Sequence, residues 1–242
     1  MRTVITTTVA GGLAVMLFAG QVRADRTFAD TEFATAGWGQ ESRTTGAGGT
    51  AAFSQVATGN PGNARRVTIN VGAGPSLVQA MSRFGTSQAT RYDPAVEGAL
   101  VSVSFALDYR RVSGPSATVI PAAKQGSFVY IALGFAATAG DSWQTLSIPT
   151  LVAGDFVRWD GAGTLDFSAS AEPIRFGFVS GVGQSDGAPA QAVTDFDNFE
   201  VVARVPTPGA ALAMAMMGVV GLARRRRTSP TRERGVGAGV GA

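Results

Sequence analysis

Val101-Ser102-Val103-Ser104-Phe105-Ala106-Leu107-Asp108-Tyr109-Arg110 alternates apolar and polar residues without a break. Side chains of an extended chain point to opposite faces in turn. Val101, Val103, Phe105, Leu107 and Tyr109 therefore share one face, and Ser102, Ser104, Ala106, Asp108 and Arg110 the other. That is a half-buried strand, because a helix would repeat its apolar positions every three to four residues. The same period recurs outward along the chain. Phe128, Tyr130 and Ala132 interleave with Val129, Ile131, Leu133 and Phe135, which predicts a strand apolar on both faces. Ile174, Phe176 and Phe178 alternate with Arg175 and Gly177; Asp197, Phe199, Val201 and Ala203 alternate with Phe196, Asn198, Glu200 and Val202. Shorter strands are expected at 27–33, 50–57, 65–71, 77–84, 87–92, 116–121, 143–149 and 155–159.

Turn residues punctuate these runs. Gly59-Asn60-Pro61-Gly62, Asp160-Gly161 and Asp186-Gly187 have turn chemistry. The segment 181–194 reads as the longest polar loop. No long amphipathic helix and no repeat of fixed period occurs between Asp25 and Arg204. The fold class is all-β: a two-sheet antiparallel β-sandwich, or jelly roll.

Composition removes several functions. The 242 residues contain no His and no Cys. That excludes a Ser-His-Asp triad, imidazole acid–base chemistry, disulfides and zinc–thiolate sites. The length allows one domain of about 150–200 residues plus extensions. The overall charge of +3 is misleading. Residues 25–205 carry 12 basic and 16 acidic side chains, so the body is about −4. Positive charge gathered at the ends argues for membrane topology, and no nucleic-acid partner is expected.

The first 24 residues have a positive start at Arg2, an apolar stretch from Val9 to Gly20 and a small-x-small sequence at Val22-Arg23-Ala24. This is the three-part pattern of a secretory signal peptide, whose helix is too short for a stable span. At the other end, Val205-Pro206-Thr207-Pro208-Gly209 precedes an apolar run from Ala210 to Ala223, closed by Arg224, Arg225, Arg226 and Arg227. Fourteen residues make about 21 Å of helix, short of a hydrocarbon core of about 30 Å. The 19 residues from Val205 to Ala223 just reach as a short transmembrane helix.

Pro motif, apolar helix and Arg cluster together resemble the PEP-CTERM sorting signal. The resemblance implies an exosortase as processing partner, membrane attachment through the C-terminal helix in transit, and release to the cell surface or matrix beside exopolysaccharide. The middle residue is Thr207 where the family has Glu, and 15 residues follow the arginines. The expected organisation is signal peptide 1–24, β-sandwich 25–204, sorting signal 205–227 and a disordered tail 228–242.

The body resembles the lectin-like jelly rolls of exported bacterial proteins, in the concanavalin/laminin-G or carbohydrate-binding-module style. The matching residues are Phe28-x-Asp30-x-x-Phe33 with Trp38, the Gly59 to Gly62 turn, Tyr92-Asp93-Pro94, Phe176-Gly177-Phe178, and Asp195-Phe196-Asp197-Asn198-Phe199-x-Val201. In a jelly roll the first and last strands often lie side by side. That would bring Glu32 or Asp30 near Asp197, with Asp195 two residues before it. These four are the candidate ligands of a structural Ca²⁺, which takes oxygen donors only. No other cofactor is implied. The alternative is that these carboxylates are plain edge and turn residues.

Of Trp38, Trp143, Trp159, Tyr92, Tyr109 and Tyr130, which could stack on sugars or fill the core, most read as core, Tyr109 and Tyr130 because they sit in strongly apolar strands. Trp143 and Trp159 lie near turns and are the candidates for stacking on sugar rings. Lys124 reads as a solvated loop residue, and Gly72-x-Gly74-Pro75 lacks the Gly-Lys-Ser/Thr of a phosphate loop. A retaining glycosidase needs two carboxylates about 5–5.5 Å apart. The Glu-x-Asp-x-x-Glu strand of concanavalin-like glucanases is absent, and Glu97, Glu172 and Glu200 are scattered. The expected function is a non-enzymatic exported protein that holds exopolysaccharide on its sandwich. A matrix protein with no specific ligand and a glycan hydrolase are the other readings.

Overall fold

The computed structural model describes residues 24–185 and 187–206. The signal sequence before Ala24, the turn residue Asp186, the sorting-motif residues Thr207, Pro208 and Gly209, the apolar segment, Arg224 to Arg227 and the tail lie outside the described residues. In chain order the strands are β1 (Arg26–Asp30), β2 (Trp38–Gly46), β3 (Gly49–Gly59), β4 (Gly62–Val71), β5 (Ser76–Phe84), β6 (Ser102–Ser113), β7 (Thr118–Gln125), β8 (Phe128–Ile131), β9 (Ala137–Thr138), β10 (Gln144–Leu151), β11 (Val157–Arg158), β12 (Ile174–Gln184) and β13 (Ala190–Arg204). One short helix, α1 (Pro94–Glu97), and four 3₁₀ turns join them.

The strands form two antiparallel sheets. The first runs β10-β6-β13-β4-β3, with β1 also on β13; the second runs β11-β8-β7-β12-β5-β2, with β9 on β7. The 15-residue β13 organises the first sheet. One of its edges pairs with β6, while β4 takes Ala190 to Phe196 and β1 takes Phe199 to Ala203 on the other. First and last strands are therefore neighbours, as expected. A bulge between Asp197 and Glu200 separates the two halves, with Asn198 at φ 49°. Asn is among the few side-chain-bearing residues that visit this region readily.

The inward faces interdigitate. Val103, Phe105, Leu107 and Tyr109 of β6 are buried together, as the alternation requires. Trp38 anchors an aromatic cluster with ring centroids 4.9 Å from Phe33, 5.1 Å from Phe199, 5.5 Å from Phe84 and 5.7 Å from Phe178. A second apolar group, Met81, Ile120, Ala122, Val129, Ile131 and Val179, lies on the outward face of the second sheet.

Four expectations change. Val101 lies ahead of β6 and is exposed. The stretch 87–92 is a 3₁₀ turn at Gln88–Thr90 with one bridge from Tyr92 to Ile174, because Asp93 caps α1 immediately after it. Residues 133–135 are a 3₁₀ turn that ends β8. The polar segment 181–194 is mostly strand: β12 continues to Gln184 and β13 begins at Ala190. Val182 and Ala192 keep the inward period there, while Gly181 and Gly183 face Gln79 and Leu77 of β5.

Candidate functional site

Two places gather polar side chains in this sandwich. The first is the end of the first sheet where the first and last strands meet. Asp195 and Asp197 point outward from β13 but are fully buried, because the β3–β4 turn folds over them. Asp195 accepts from Arg66 Nε at 2.7 Å, from Arg66 Nη2 at 3.0 Å, from Arg110 Nη2 at 3.2 Å and from Thr58 Oγ1 at 3.0 Å. Two guanidiniums thus saturate it. Asp30 is also occupied: its carboxylate takes the backbone N–H groups of Glu32 and Phe33 and the Trp38 Nε1–H at 2.7 Å. It holds the turn that follows β1.

Asp197 differs. It accepts the backbone N–H groups of Asn60 and Asn198 and has no basic partner among the described residues. Burial is the main cause that lifts its carboxyl above the ordinary range, and the charges of Asp108 and Glu32 add to it. Asn198 donates to the Asn60 carbonyl and to Asp108, each at 2.8 Å, and Asn63 donates to Glu32 at 2.8 Å. Of the four candidate metal ligands, Glu32 and Asp197 therefore share one acidic corner with Asp108. Asp30 and Asp195 are each committed to other donors. Among the described residues no three His, Cys, Asp or Glu side chains close on one point. A cation in this corner would need amide and carbonyl oxygens besides carboxylates, which Ca²⁺ accepts. The neighbourhood of first and last strand followed from the jelly-roll resemblance; Asn60, Asn63 and Asp108 did not, because the β3–β4 turn, the start of β4 and β6 that deliver them are remote in sequence from both strands.

The second place is the outward face of the second sheet. The pairing registers set Gly39, Arg83, Gly177, Ala122, Ile131 and Val157 in one row across it, with Glu41, Met81, Val179 and Ile120 in the next. Lys124 Nζ lies 2.5 Å from Glu41 Oε1, although β12 and β5 lie between their strands. Three strand spacings of about 4.8 Å separate those strands, and the two residues are also offset along them. A flat sheet would hold such side chains too far apart to touch, so this face is concave. Arg43 on the edge strand β2 likewise reaches the carbonyl of Trp159 beyond β11, the opposite edge.

Trp159 is half-buried on this face, packed on the Met81–Val179 apolar floor. Arg43 reaches its carbonyl, and the same face carries Glu41, Arg83, Lys124 and Arg175 at outward positions of β2, β5, β7 and β12. The Arg175 guanidinium is held below its ordinary value by burial first, then by the charges of Arg83 and Arg91. Lys124, expected in a solvated loop, is on β7 because Ala122 and Ala123 continue the pairing with β12. Trp143 is half-buried on the other sheet, with the Arg110 guanidinium 4.7 Å from its ring. Trp38, Tyr92, Tyr109 and Tyr130 are buried, so Trp143 and Trp159 are the Trp and Tyr residues left near solvent, where Phe128 is exposed as well.

This geometry defines an all-β sandwich with one curved outward face. Solved structures with a similar arrangement include the family 11 carbohydrate-binding module from Clostridium thermocellum in complex with a β-1,3-1,4-mixed-linked tetrasaccharide; identity is 16%, with 74% of this chain and 96% of that one covered, at a TM-score of 0.45. A family 30 module of a C. thermocellum cellulosomal cellulase is similar at 13% identity, 73% and 96% coverage and a TM-score of 0.42. The C-terminal family 22 module of C. thermocellum Xyn10B is similar at 13% identity, 74% and 94% coverage and a TM-score of 0.41. No protein-family model and no curated protein sequence matches the chain.

Proposed function

We propose that this chain is an exported, non-catalytic binding protein that holds a glycan on the concave outward face of its second sheet. The observation that carries the reading is Trp159: a partly exposed tryptophan on a curved face that also carries guanidinium and ammonium donors, one of them, Arg43, at its carbonyl. Aromatic faces suit the C–H faces of sugar rings, and fork-shaped donors suit their oxygens. Export rests on the N-terminal signal pattern. Exosortase processing, with membrane attachment before it, rests on Val205-Pro206-Thr207-Pro208-Gly209 and the Arg224 to Arg227 cluster. A structural Ca²⁺ belongs to the same reading. Glu32 and Asp197 would hold it, and it would supply the positive charge that the corner with Asp108 lacks.

The test is affinity electrophoresis of the purified protein in gels containing β-glucan, xylan, polygalacturonate or the host's exopolysaccharide. At least one polymer should retard the protein saturably. Trp159→Ala should weaken that retardation by about tenfold or more, the scale of one lost stacking contact. Trp143→Ala should leave it unchanged. A folded protein that no polymer retards would leave only a matrix role without specific ligand.

A further inference from the structure

The charge on the concave face runs against the charge of the body. Among the described residues, the outward positions of the second sheet carry Arg43, Arg83, Lys124 and Arg175 but only one carboxylate, Glu41. The face is net +3, on a body that is about −4. Such segregation is not needed to fold a sheet, since like charges crowded on one surface repel.

The one carboxylate is oversubscribed. Glu41 Oε1 accepts both Arg83 Nε at 3.2 Å and Lys124 Nζ. Arg43 is spent on the Trp159 carbonyl. Arg175 has no acid: its Nε is buried and without a partner among the described residues. Two neighbouring cations, Arg83 and Arg91, act on it, and Arg91 has its own ion pair with Asp93 at 3.4 Å. A buried guanidinium nitrogen that makes no hydrogen bond is a standing cost unless something else supplies the acceptor.

Small residues flank these cations. Gly39 and Gly177 lie on either side of Arg83 in its row, followed by Ala122; a Cβ at Gly39 would come within 2.4 Å of Arg83 Cζ. The guanidinium can therefore lie flat against the strands, and Gly181 and Gly183 keep the neighbouring β12 positions equally low. A chain laid across this face would run past Trp159 and over a strip of cations that share a single carboxylate.

We infer that the ligand of the concave face is a carboxylate-bearing polysaccharide, a polyuronate, whose carboxylates are taken by Arg175 and Arg83 while a sugar ring rests on Trp159. The inference builds on the glycan-binding reading and specifies its chemistry. The planar guanidinium fork matches a planar carboxylate in two parallel hydrogen bonds. Each uronate that enters supplies the acceptor that Glu41 alone does not.

Titration calorimetry of the purified protein with oligogalacturonate and with a neutral β-glucan oligomer of the same length tests this. Expected are a Kd for the uronate at least about tenfold lower than for the neutral oligomer, and loss of that preference in 0.5 M NaCl, where the screening length falls to a few ångströms. Arg175→Gln should raise the uronate Kd about tenfold and leave the neutral one unchanged. Arg83→Gln, on β5, should do the same to a smaller degree because Glu41 already shares that guanidinium, which guards against a single variant that folds poorly. Neutral binding as tight as uronate binding, or a uronate Kd unmoved by Arg175→Gln, would overturn the inference. If the neutral oligomer binds and Trp159→Ala abolishes it, the glycan site stands and only the charge preference falls. If neither oligomer binds to folded protein, both fall. A sulfated oligomer that binds while the uronate does not would sink the carboxylate assignment.

Discussion

Arg65 carries its charge between two aromatic rings, with its Cζ 5.3 Å from the ring of Trp38 and 5.1 Å from that of Phe53. Its Nε donates to Ser82 Oγ at 2.7 Å, but both terminal nitrogens are buried without a partner among the described residues. Burial lowers its pKa to about 10, against the opposing pull of Asp30. A base lowered in the folded state binds fewer protons there than when unfolded, so its penalty is full below pH 10 and is relieved as pH rises above that value. Arg65→Met fills the same space without the charge. It should hold or raise the thermal midpoint at pH 7, by up to about 2 kcal/mol of stability. Arg65→Ala should lower it through the cavity it leaves. Calorimetric melts of the two variants separate charge from volume; a large loss in Arg65→Met would show that the guanidinium stabilises the fold. Asp195 is the opposite case, a buried carboxylate with two guanidiniums and a hydroxyl in place. Asp195→Ala strands two arginines under the β3–β4 turn and should cost about 3 kcal/mol in urea unfolding, as breaking a buried pair does.

At the scale of elements, backbone proximity sets what can change. Gly177 sits in β12 opposite Arg83, and a Cβ there would come within 2.0 Å of the Ser82 carbonyl oxygen and 2.7 Å of Arg83 Cα. Both atoms belong to the β5 backbone, so neither can swing aside. Gly177→Ala should force β12 and β5 apart and lower the thermal midpoint by several degrees, on the scale of 1–3 kcal/mol for overpacking. Gly154, in a 3₁₀ turn with nothing within 4 Å of such a Cβ, should accept Ala with a change under about 0.5 kcal/mol. Equal effects at the two positions would contradict the packing assigned to the β12–β5 pair. The same contrast explains what the sequence revealed. β6, β12 and β13 were legible because one face of each is continuously apolar. β2 was not, because after Trp38 it reads Gly-Gln-Glu-Ser-Arg-Thr-Thr-Gly. It is an edge strand whose pairing with β5 is supplied by its neighbour's register and not by its own pattern. The candidate site divided likewise. Trp159 could be singled out as an aromatic near a turn. Arg43, Glu41 and Lys124 come from strands distant in sequence, and only the curvature of the sheet makes them neighbours.

For the described body as a whole, the sandwich is closed by its first and last strands. β1 lies along the last turns of β13, and the Val205 N–H, just past β13, donates to Asp25 just before β1 at 3.2 Å. The acidic corner sits on this closure. Glu32 follows β1, Asn60 comes from the β3–β4 turn, Asn63 from the start of β4, Asp108 from β6, and Asp197 and Asn198 from β13. Raised in the folded state, Asp197 binds more protons folded than unfolded in the window above its ordinary value of 3.8. Its contribution to stability therefore falls as pH rises through that window, and the penalty is full once the carboxyl is ionised. Asp141 and Asp160 shift downward through their arginine partners and lose stability as pH falls, but they do so equally in any Asp197 variant. The thermal midpoint of the wild-type protein minus that of Asp197→Asn should therefore grow as pH drops from 7 toward 4 in EDTA. Millimolar Ca²⁺ at pH 7 should relieve the same repulsion by another route, raising the wild-type midpoint by several degrees and that of Asp197→Asn far less. A calcium response of equal size in both proteins would place the ion elsewhere. No response in either, with the pH difference intact, would mean that this corner tolerates its charge through Asn60, Asn63 and Asn198 alone.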